Sequence, residues 1–238
     1  MIYTEKYTIT WHDTGANRAV RPTQILMYMQ ETANHHCIAY GIPLDKLRDE
    51  RGLAFLLSRI TLKFYEELHA YDEIEVQTWI SEGKGLSFPR CFRIIKEGRA
   101  VAEAVSNWAL MDIRAGKLVR YEDFDYGFEG EPMLEMDAPR RIKFPSDVPL
   151  DLVGERKIVY SDLDYNVHMN NTKYPDMVCD FIDGIEDKKL RSMTLIYLRE
   201  AHYKDTLSVY LAQKENEYFV RTVNTSAETC LESQMNFE

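Results

Sequence analysis

The chain has 238 residues, of which 45% are hydrophobic and 29% charged, and its formal net charge is −10. This is the composition of an ordinary globular chain, long enough for one large domain or two small ones with real cores. The charge argues against nucleic acid or an anionic membrane as the main partner, and no run of about 18 apolar residues indicates a membrane span.

The N-terminus and the cysteines indicate a reducing compartment. Residues 3–11 alternate like a strand and lack the basic-then-apolar layout of a signal peptide, so the cytoplasm is the predicted location. The cysteines show neither a CxxC pair nor zinc-ligand spacing, so they are expected to be reduced and mostly buried. They are Cys37, Cys91, Cys179 and Cys230. His35 and His36 point to different helix faces, and neither a metal site nor a cofactor is predicted.

In the first half, the strand at 3–11 precedes a predicted helix over 22–40. Strand patterns then follow at Ile60–Tyr65, Glu73–Ile80, Phe88–Ile95 and Ala100–Met111. The segment Gly41–Ser58 between helix and strands is expected to form a flap or a wall over a pocket. One helix and one antiparallel meander favour an α+β unit, in which a curved sheet wraps around the helix.

The second half repeats this order of elements. A strand at Lys157–Tyr160 and a helix over 172–182 lead to four strands, at Thr194–Ala201, Thr206–Gln213, Tyr218–Asn224 and Leu231–Phe237. Shifting the sequence by 133 aligns residues 60–76 with 193–209 and gives six identities in seventeen positions. The predicted architecture is therefore a tandem repeat, with domains at 1–112 and 151–238 joined by a Gly- and Pro-rich surface connector at 113–150.

Polar residues cluster just before the second helix. Asp164, Asn166 and His168 fall within five residues, and Asn170 and Asn171 follow at the expected helix start. The free amides of a first helical turn stabilise a carbonyl oxygen or a developing oxyanion, so the cluster suggests an active site. The residues alone leave open that the asparagines only cap the helix and that His168 satisfies a core hydrogen bond.

The first half preserves only part of this cluster. A shift of 149 aligns Asn17 with Asn166 and places Ala19 on His168, whereas the shift of 133 aligns Glu67 with Glu200. The first half thus keeps an asparagine and a glutamate but lacks the histidine. A single active site in the second half is expected.

These residues resemble the tandem hotdog-fold acyl-acyl-carrier-protein thioesterases of bacteria and plants. The resemblance rests on Asp164 to Tyr174, Tyr197 to Glu200, Gln30 to Ala33 and Trp108 to Asp112. It implies two hotdog domains and hydrolysis of the thioester between a fatty acyl chain and acyl carrier protein, which ends chain elongation. Many plant members carry a cysteine after the glutamate; here that position is Ala201, so the resemblance implies hydrolysis driven by a carboxylate.

The resemblance also implies roles for single residues. Glu200 would be the general base or a transient nucleophile, Asn166 would orient the water or the glutamate, and His168 would polarise or protonate. Asp164 would hold the loop and the imidazole. In this family the first half lines the acyl tunnel, so Ile25 and Met29 on the first helix, with Asn171, are predicted to contact the substrate.

Three other functions stay open at this point. In acyl-CoA hydrolysis the substrate has the same phosphopantetheine arm as in acyl-acyl-carrier-protein hydrolysis, and only the carrier differs. An enoyl-thioester hydratase of this fold carries a similar signature, but here the spacing from Asp164 to His168 is one residue shorter and contains no proline. A non-catalytic acyl-thioester sensor would not need all four polar positions. Self-association into a homodimer is left open.

Overall fold

The computed structural model describes residues 1–127 and 129–238, so one residue of the predicted connector lies outside the description. The strands are β1 (Tyr3–Thr8), β2 (Leu53–Phe64), β3 (Glu73–Ile80), β4 (Phe88–Lys96), β5 (Arg99–Asp112), β6 (Lys117–Val119), β7 (Asp151–Lys157), β8 (Leu190–Tyr197), β9 (Thr206–Lys214), β10 (Glu217–Val223) and β11 (Thr229–Phe237). The α-helices are α1 (Pro22–Ala39), α2 (Leu44–Arg51) and α3 (Tyr174–Cys179).

One antiparallel sheet runs through both halves in the order β1-β3-β4-β5-β2-β8-β11-β10-β9-β7, with β6 on β5. Each half contributes one side of the sheet and one central helix, α1 or α3, as the sequence predicts. Alternate strand residues such as Ile74, Val76 and Leu195 meet the buried faces of these helices in a shared core. Pro22 suits the first turn of α1, because an N–H at that position would have no intrahelical partner and proline has none to leave unpaired.

The two halves meet where β2 pairs with β8. In this ladder Thr61 lies opposite Thr194, and these two residues are each other's counterparts under the shift of 133. Their hydroxyl oxygens are 3.0 Å apart. A pseudo-twofold axis therefore passes through the Thr61–Thr194 pair, as in an isologous dimer whose subunits have become one chain.

From residue 132 onward, the connector crosses the face of the sheet opposite α1 and α3. Its apolar residues there pack first on Trp79, Cys91 and Val105, and the indole of Trp79 donates to the carbonyl oxygen of Pro132 at 2.8 Å. Further along, Phe144 packs near Phe219. The segment is an apolar cover for the outer sheet face. The domain limits at 112 and 151 remain a prediction.

Several elements differ from the sequence predictions. Helix α2 occupies the segment expected to form a flap, and β2 begins at Leu53, seven residues before the predicted Ile60. The strand predicted at Lys157–Tyr160 is placed too late: β7 (Asp151–Lys157) shares only Lys157 with it and is a mostly exposed edge strand without apolar alternation. The second helix is shorter than predicted because 3₁₀ turns flank it. Among the described residues, no helix has the length and apolarity to span a membrane.

Candidate active site

The loop from Leu163 to Met169, called the site loop below, closes as a tight turn. The Asp164 amide donates to the His168 carbonyl oxygen at 2.9 Å, and the Val167 amide donates to that of Asp164 at 3.0 Å. The Asp164 carboxylate accepts the Asn166 amide at 2.8 Å. Val167 adopts a φ of 67°, which is costly for a β-branched residue. The turn projects Tyr165, Asn166 and Val167 into solvent.

A second set of bonds ties the site loop to the chain beyond β8. The Met169 amide donates to the Ala201 carbonyl oxygen at 2.8 Å, which sets His168 directly opposite His202. Opposed residues of this kind hold their side chains close together. Asp162 anchors the base of the loop: its buried carboxylate accepts Arg156 Nη2 at 2.8 Å and the Val159 amide at 2.9 Å.

These bonds bring His168 and Glu200 together, although 32 positions separate them in the sequence. His168 Nε2 lies 3.2 Å from Glu200 Oε2, and the side chains are 28% and 51% exposed. The His168 and His202 rings meet edge to face, with centroids 4.9 Å apart. A carboxylate open to water beside an imidazole can accept a proton from water or transfer one, so this is an acid–base arrangement.

The same three groups could also hold a cation. The ligand atoms of His168, Glu200 and His202 lie within 4.8 Å of one another. Two imidazole nitrogens and one carboxylate form a donor set that Zn²⁺ accepts. All three groups are at least partly exposed, and the sequence predicts no metal here. The acid–base arrangement and a cation site therefore need an experiment to separate them.

The structure places the other two predicted catalytic residues nearby with different partners. The Asn166 side-chain oxygen accepts a hydrogen bond from Arg48 of α2, and the Arg48 guanidinium also lies over the Tyr165 ring, 5.9 Å from its centroid. Asp164 bonds to the loop backbone, while the imidazole of His168 meets Glu200. Asp164 thus shapes the loop, and a first-half helix reaches the second-half site.

The predicted substrate contacts are spread over three environments. Ile25 and Met29 are buried in the central core, at 0% and 2% exposure. The Asn171 carbonyl oxygen accepts the Tyr197 hydroxyl at 2.9 Å. Burial raises the pKa of that phenol, which keeps it a donor. Asn170 caps the following turn by accepting the Thr172 amide at 2.9 Å.

Two cavities flank the central helices. The smaller, of about 40 Å³, lies beside the α1 face that carries Gln30, Ala33, Asn34 and Cys37. Its other walls are Leu44, Phe55, Ile80, Phe88, Pro89, Arg90, Trp108 and Tyr126. Leu44 belongs to α2, one helical turn from Arg48, so this cavity and the site loop share a wall. The larger cavity, of about 550 Å³, lies against the first half's counterpart of the site loop.

Arg48 and Arg90 are not singled out by the motifs of the sequence. Arg48 lies on a helix with six charged residues of eight, which is typical of a solvated segment. Arg90 is buried in an otherwise apolar stretch of β4 and donates to His36 Nδ1 at 2.9 Å and to the Thr78 hydroxyl at 3.1 Å. A charged residue inside an apolar strand is the signal that points to it.

Comparisons with known families match both halves. The acyl-ACP thioesterase N-terminal domain matches residues 1–124, and the acyl-ACP thioesterase C-terminal domain matches residues 151–235. Among sequence relatives, a palmitoyl-acyl carrier protein thioesterase of Arabidopsis thaliana chloroplasts is 28% identical over 216 residues, which cover 84% of this chain and 52% of that protein. The chloroplastic oleoyl-acyl carrier protein thioesterase 2 of the same plant is 26% identical, over 95% of this chain and 67% of the relative. The chain thus spans about half the length of the first relative.

Solved structures show the same fold. An acyl-ACP thioesterase from Bacteroides thetaiotaomicron superposes with a TM-score of 0.90 at 24% identity, over 100% of this chain and 98% of the other. The 12:0-ACP thioesterase of Umbellularia californica gives 0.86 at 19% identity, over 100% and 97%. A MaoC-like dehydratase from Phytophthora capsici gives 0.59 at 12% identity, over 100% and 95%. At these identities the likeness concerns the fold, which is the predicted tandem hotdog.

Proposed function

Because the chain belongs to the acyl-ACP thioesterase family, we propose that it hydrolyses the thioester between a fatty acyl chain and acyl carrier protein. The products are the free fatty acid and the carrier's thiol, so the reaction ends chain elongation. The observation that carries this proposal is the contact of 3.2 Å between His168 Nε2 and Glu200 Oε2 at a solvent-accessible loop. Thioester hydrolysis needs an activated water, a stabilised oxyanion and a proton for the leaving thiolate.

Glu200 is the proposed general base. Its half-exposed carboxylate takes a proton from a water whose oxygen attacks the thioester carbonyl carbon. The tetrahedral intermediate then breaks the C–S bond, and the thiolate receives that proton from Glu200 or from the neighbouring imidazole. A direct attack by Glu200 on the carbonyl carbon would instead break the C–S bond and form an acyl anhydride, with the expelled thiolate taking a proton from the imidazole or from water. Water then cleaves the anhydride to the fatty acid and the free Glu200 carboxylate. In both routes His168 holds the carboxylate in place.

Asn166 and Asp164 serve the carbonyl end of the substrate in this proposal. The Asn166 side-chain oxygen faces Arg48, so the NH₂ group of the same side chain can donate toward the thioester oxygen or the attacking water. Asp164 keeps Asn166 in the turn by accepting its backbone amide. Asp164 thus acts as a positioning residue.

The acyl chain is proposed to lie along α1, where the cavity beside Leu44 has to widen on binding because its volume of about 40 Å³ is too small for an alkyl chain. The α1 residues that line it are spaced like one face of a helix, and aromatic side chains close the opposite wall. Ile25 and Met29 lie in the adjacent core layer, so their predicted effect on the substrate would act through this lining. The buried Arg90 guanidinium in the wall is unfavourable for an alkyl end, which would limit chain length there.

Acyl carrier protein is the proposed partner because the family's name specifies that carrier. Acyl-CoA presents the same arm and is the alternative to be measured. The cytoplasm remains the predicted compartment, and a homodimer remains open.

The experiment that tests this function is thiol release from a panel of acyl-ACP and acyl-CoA substrates. We expect release that favours the carrier protein and that falls at least about 100-fold in His168→Ala. The matched control is His12→Ala, at an exposed histidine of the first half, which should retain the wild-type rate. Circular dichroism of both variants checks folding.

Other results would redirect the proposal. An active, folded His168→Ala variant would remove the imidazole from the reaction. Loss of release after dialysis against EDTA, with recovery on adding Zn²⁺, would assign His168, Glu200 and His202 to a metal. Hydration of an enoyl thioester without thiol release would identify a hydratase, and tight binding without turnover would identify a sensor.

A further inference from the structure

The larger cavity lies at the first half's counterpart of the proposed catalytic site. Its volume is about 550 Å³, within the range of pockets that hold small organic molecules. Gly15, Ala16, Asn17 and Ala19 line it, and they align with Asp164, Tyr165, Asn166 and His168 under the shift of 149. Glu67, the counterpart of Glu200, lies in the same wall.

The wall of the larger cavity that faces this first-half loop also follows the pseudo-twofold relation. At the catalytic site the second-half loop faces α2 of the first half, through Arg48. At this cavity the first-half loop faces α3 and the chain after it, through Cys179, Ile185 and Leu190. Cys179 is the counterpart of Gln30, which lines the smaller cavity. The larger cavity is thus built from the loop of one half and the helix of the other, whereas the lining of the smaller cavity comes from the first half and the connector.

The imidazole and the loop carboxylate of the catalytic site are missing at the larger cavity. Ala19 replaces the imidazole and Gly15 replaces the Asp164 carboxylate. Glu67 pairs with Lys189 at 3.2 Å, in contrast to the His168 contact of Glu200. Burial raises the pKa of the Cys179 thiol to about 12, so this cysteine is a poor nucleophile at neutral pH. The site can hold a ligand without an evident means to cleave it.

The lining specifies the class of ligand. Apolar side chains that suit an acyl chain include Val20, Phe64, Leu68 and Phe237. The charged lining comprises four carboxylates (Glu67, Asp176, Asp180 and Glu186) and two cations (Arg21 and Lys188). Arg21 already lies 3.8 Å from Asp176. A free fatty acid would add a further negative charge, whereas the thioester and its pantetheine amides are neutral.

We propose that the larger cavity is a second, non-hydrolytic binding site for acyl thioesters, which accepts the acyl chain with its neutral pantetheine arm. The inference rests on the proposed function for its ligand class, because the duplicated frame is taken to have bound the same substrate in both halves. The first half then keeps binding while the second half performs hydrolysis.

The test is the binding stoichiometry of S-dodecylpantetheine, a thioether that cannot be hydrolysed, measured by equilibrium dialysis with the full chain. Two equivalents are expected for the wild type. Ala16→Trp places an indole at the cavity from an exposed loop position and should reduce the bound ligand to one equivalent. Ala115→Trp, at an exposed alanine in the turn after β5, is the matched control and should keep both. Thermal unfolding checks that the three proteins fold alike.

The outcomes separate this proposal from the proposed function. One equivalent in the wild type, unchanged in Ala16→Trp, overturns the second site even if thiol release is normal. Two equivalents, with one lost in Ala16→Trp, support it even if no acyl-ACP is hydrolysed. Dodecanoate at equal concentration should leave both equivalents bound; displacement of the equivalent that Ala16→Trp removes would overturn the assignment to neutral thioesters.

Discussion

The turn at residues 13–21 and its counterpart at 162–170, which contains the site loop, have the same backbone hydrogen bonds but different side chains. The Val20 amide donates to Leu68 as the Met169 amide donates to Ala201, at 2.7 and 2.8 Å. The Arg21 amide donates to Asp13 as the Asn170 amide donates to Asp162, at 2.9 and 2.8 Å. The pairing of His168 with His202 recurs as Ala19 with His69.

Even the unfavourable backbone conformation is repeated. Arg18 has a φ of 64° and Val167 a φ of 67°. Strain of this kind often accompanies a functional site, but here it occurs with and without the histidine. The strained turn therefore belongs to the duplicated frame, and the difference between the halves lies in a few side chains.

The largest expected effect tests the two glutamates against each other. Glu200→Gln should lower acyl-ACP turnover by about 1000-fold, because an amide cannot accept the proton from water. Glu67→Gln should have an effect at least about 100-fold smaller, since Glu67 pairs with Lys189 and Ala19 stands at the counterpart of His168. Steady-state thiol release from one acyl-ACP checks both. Equal losses in the two variants would contradict the assignment of catalysis to the second half.

Periodicity in the sequence was sufficient to predict most of the helices and strands that the two halves share. It predicted α1 and β3 closely, and the shifts of 133 and 149 predicted which positions correspond. It could not predict α2, because only Leu44 and Leu47 are apolar there and the helix depends on packing of Leu47 against Phe88 and Leu110.

The site shows the same limit. The cluster of Asp164, Asn166 and His168 was visible because its members are close in sequence. The approach of Arg48 to Asn166 depends on how the two halves pack across the pseudo-twofold axis. Neither spacing nor composition carries that information.

The next effect concerns the aspartates at the base of each turn. Asp162→Ala should lower the free energy of unfolding by about 3 kcal/mol, because it leaves the Arg156 guanidinium and the Val159 amide without their acceptor. Asp13→Ala should cost about 2 kcal/mol, since its partners are Thr10 and the neutral Tyr28 hydroxyl. Urea unfolding measures both. A larger loss for Asp13→Ala would reverse the ranking of the two anchors.

A smaller effect distinguishes α1 from its shorter counterpart. Under the shift of 149, α3 ends at the counterpart of Gln30, so His36 lies in the part of α1 that has no α-helical match. Burial, and then the charge of Arg90, lowers the pKa of His36 to about 3. The unfolded chain binds a proton below about pH 6.5 that the folded chain does not.

The free energy of unfolding should therefore fall as the pH drops from 6.5 toward 3. Above pH 6.5 the contribution of His36 should be constant. The contribution of His36 is at most about 1.4 kcal/mol per pH unit. His36→Gln retains an acceptor for Arg90 and should flatten the slope, whereas His12→Gln, at an exposed histidine, should preserve it. Urea unfolding at a series of pH values measures the slopes, and identical slopes in all three proteins would contradict a neutral buried His36.

The smallest effect lies at the pseudo-twofold axis itself, where the two halves are most alike. The hydroxyls of Thr61 and Thr194 are buried and bond to each other at 3.0 Å, so either Thr→Val change leaves one hydroxyl without that partner. Each single variant should lose about 1 kcal/mol, and the double variant should lose less than the sum because no unpaired hydroxyl remains. A double-mutant cycle in urea measures this coupling. Because the residues are counterparts, the two single losses should also agree; unequal losses would show that the halves have diverged even on their shared axis.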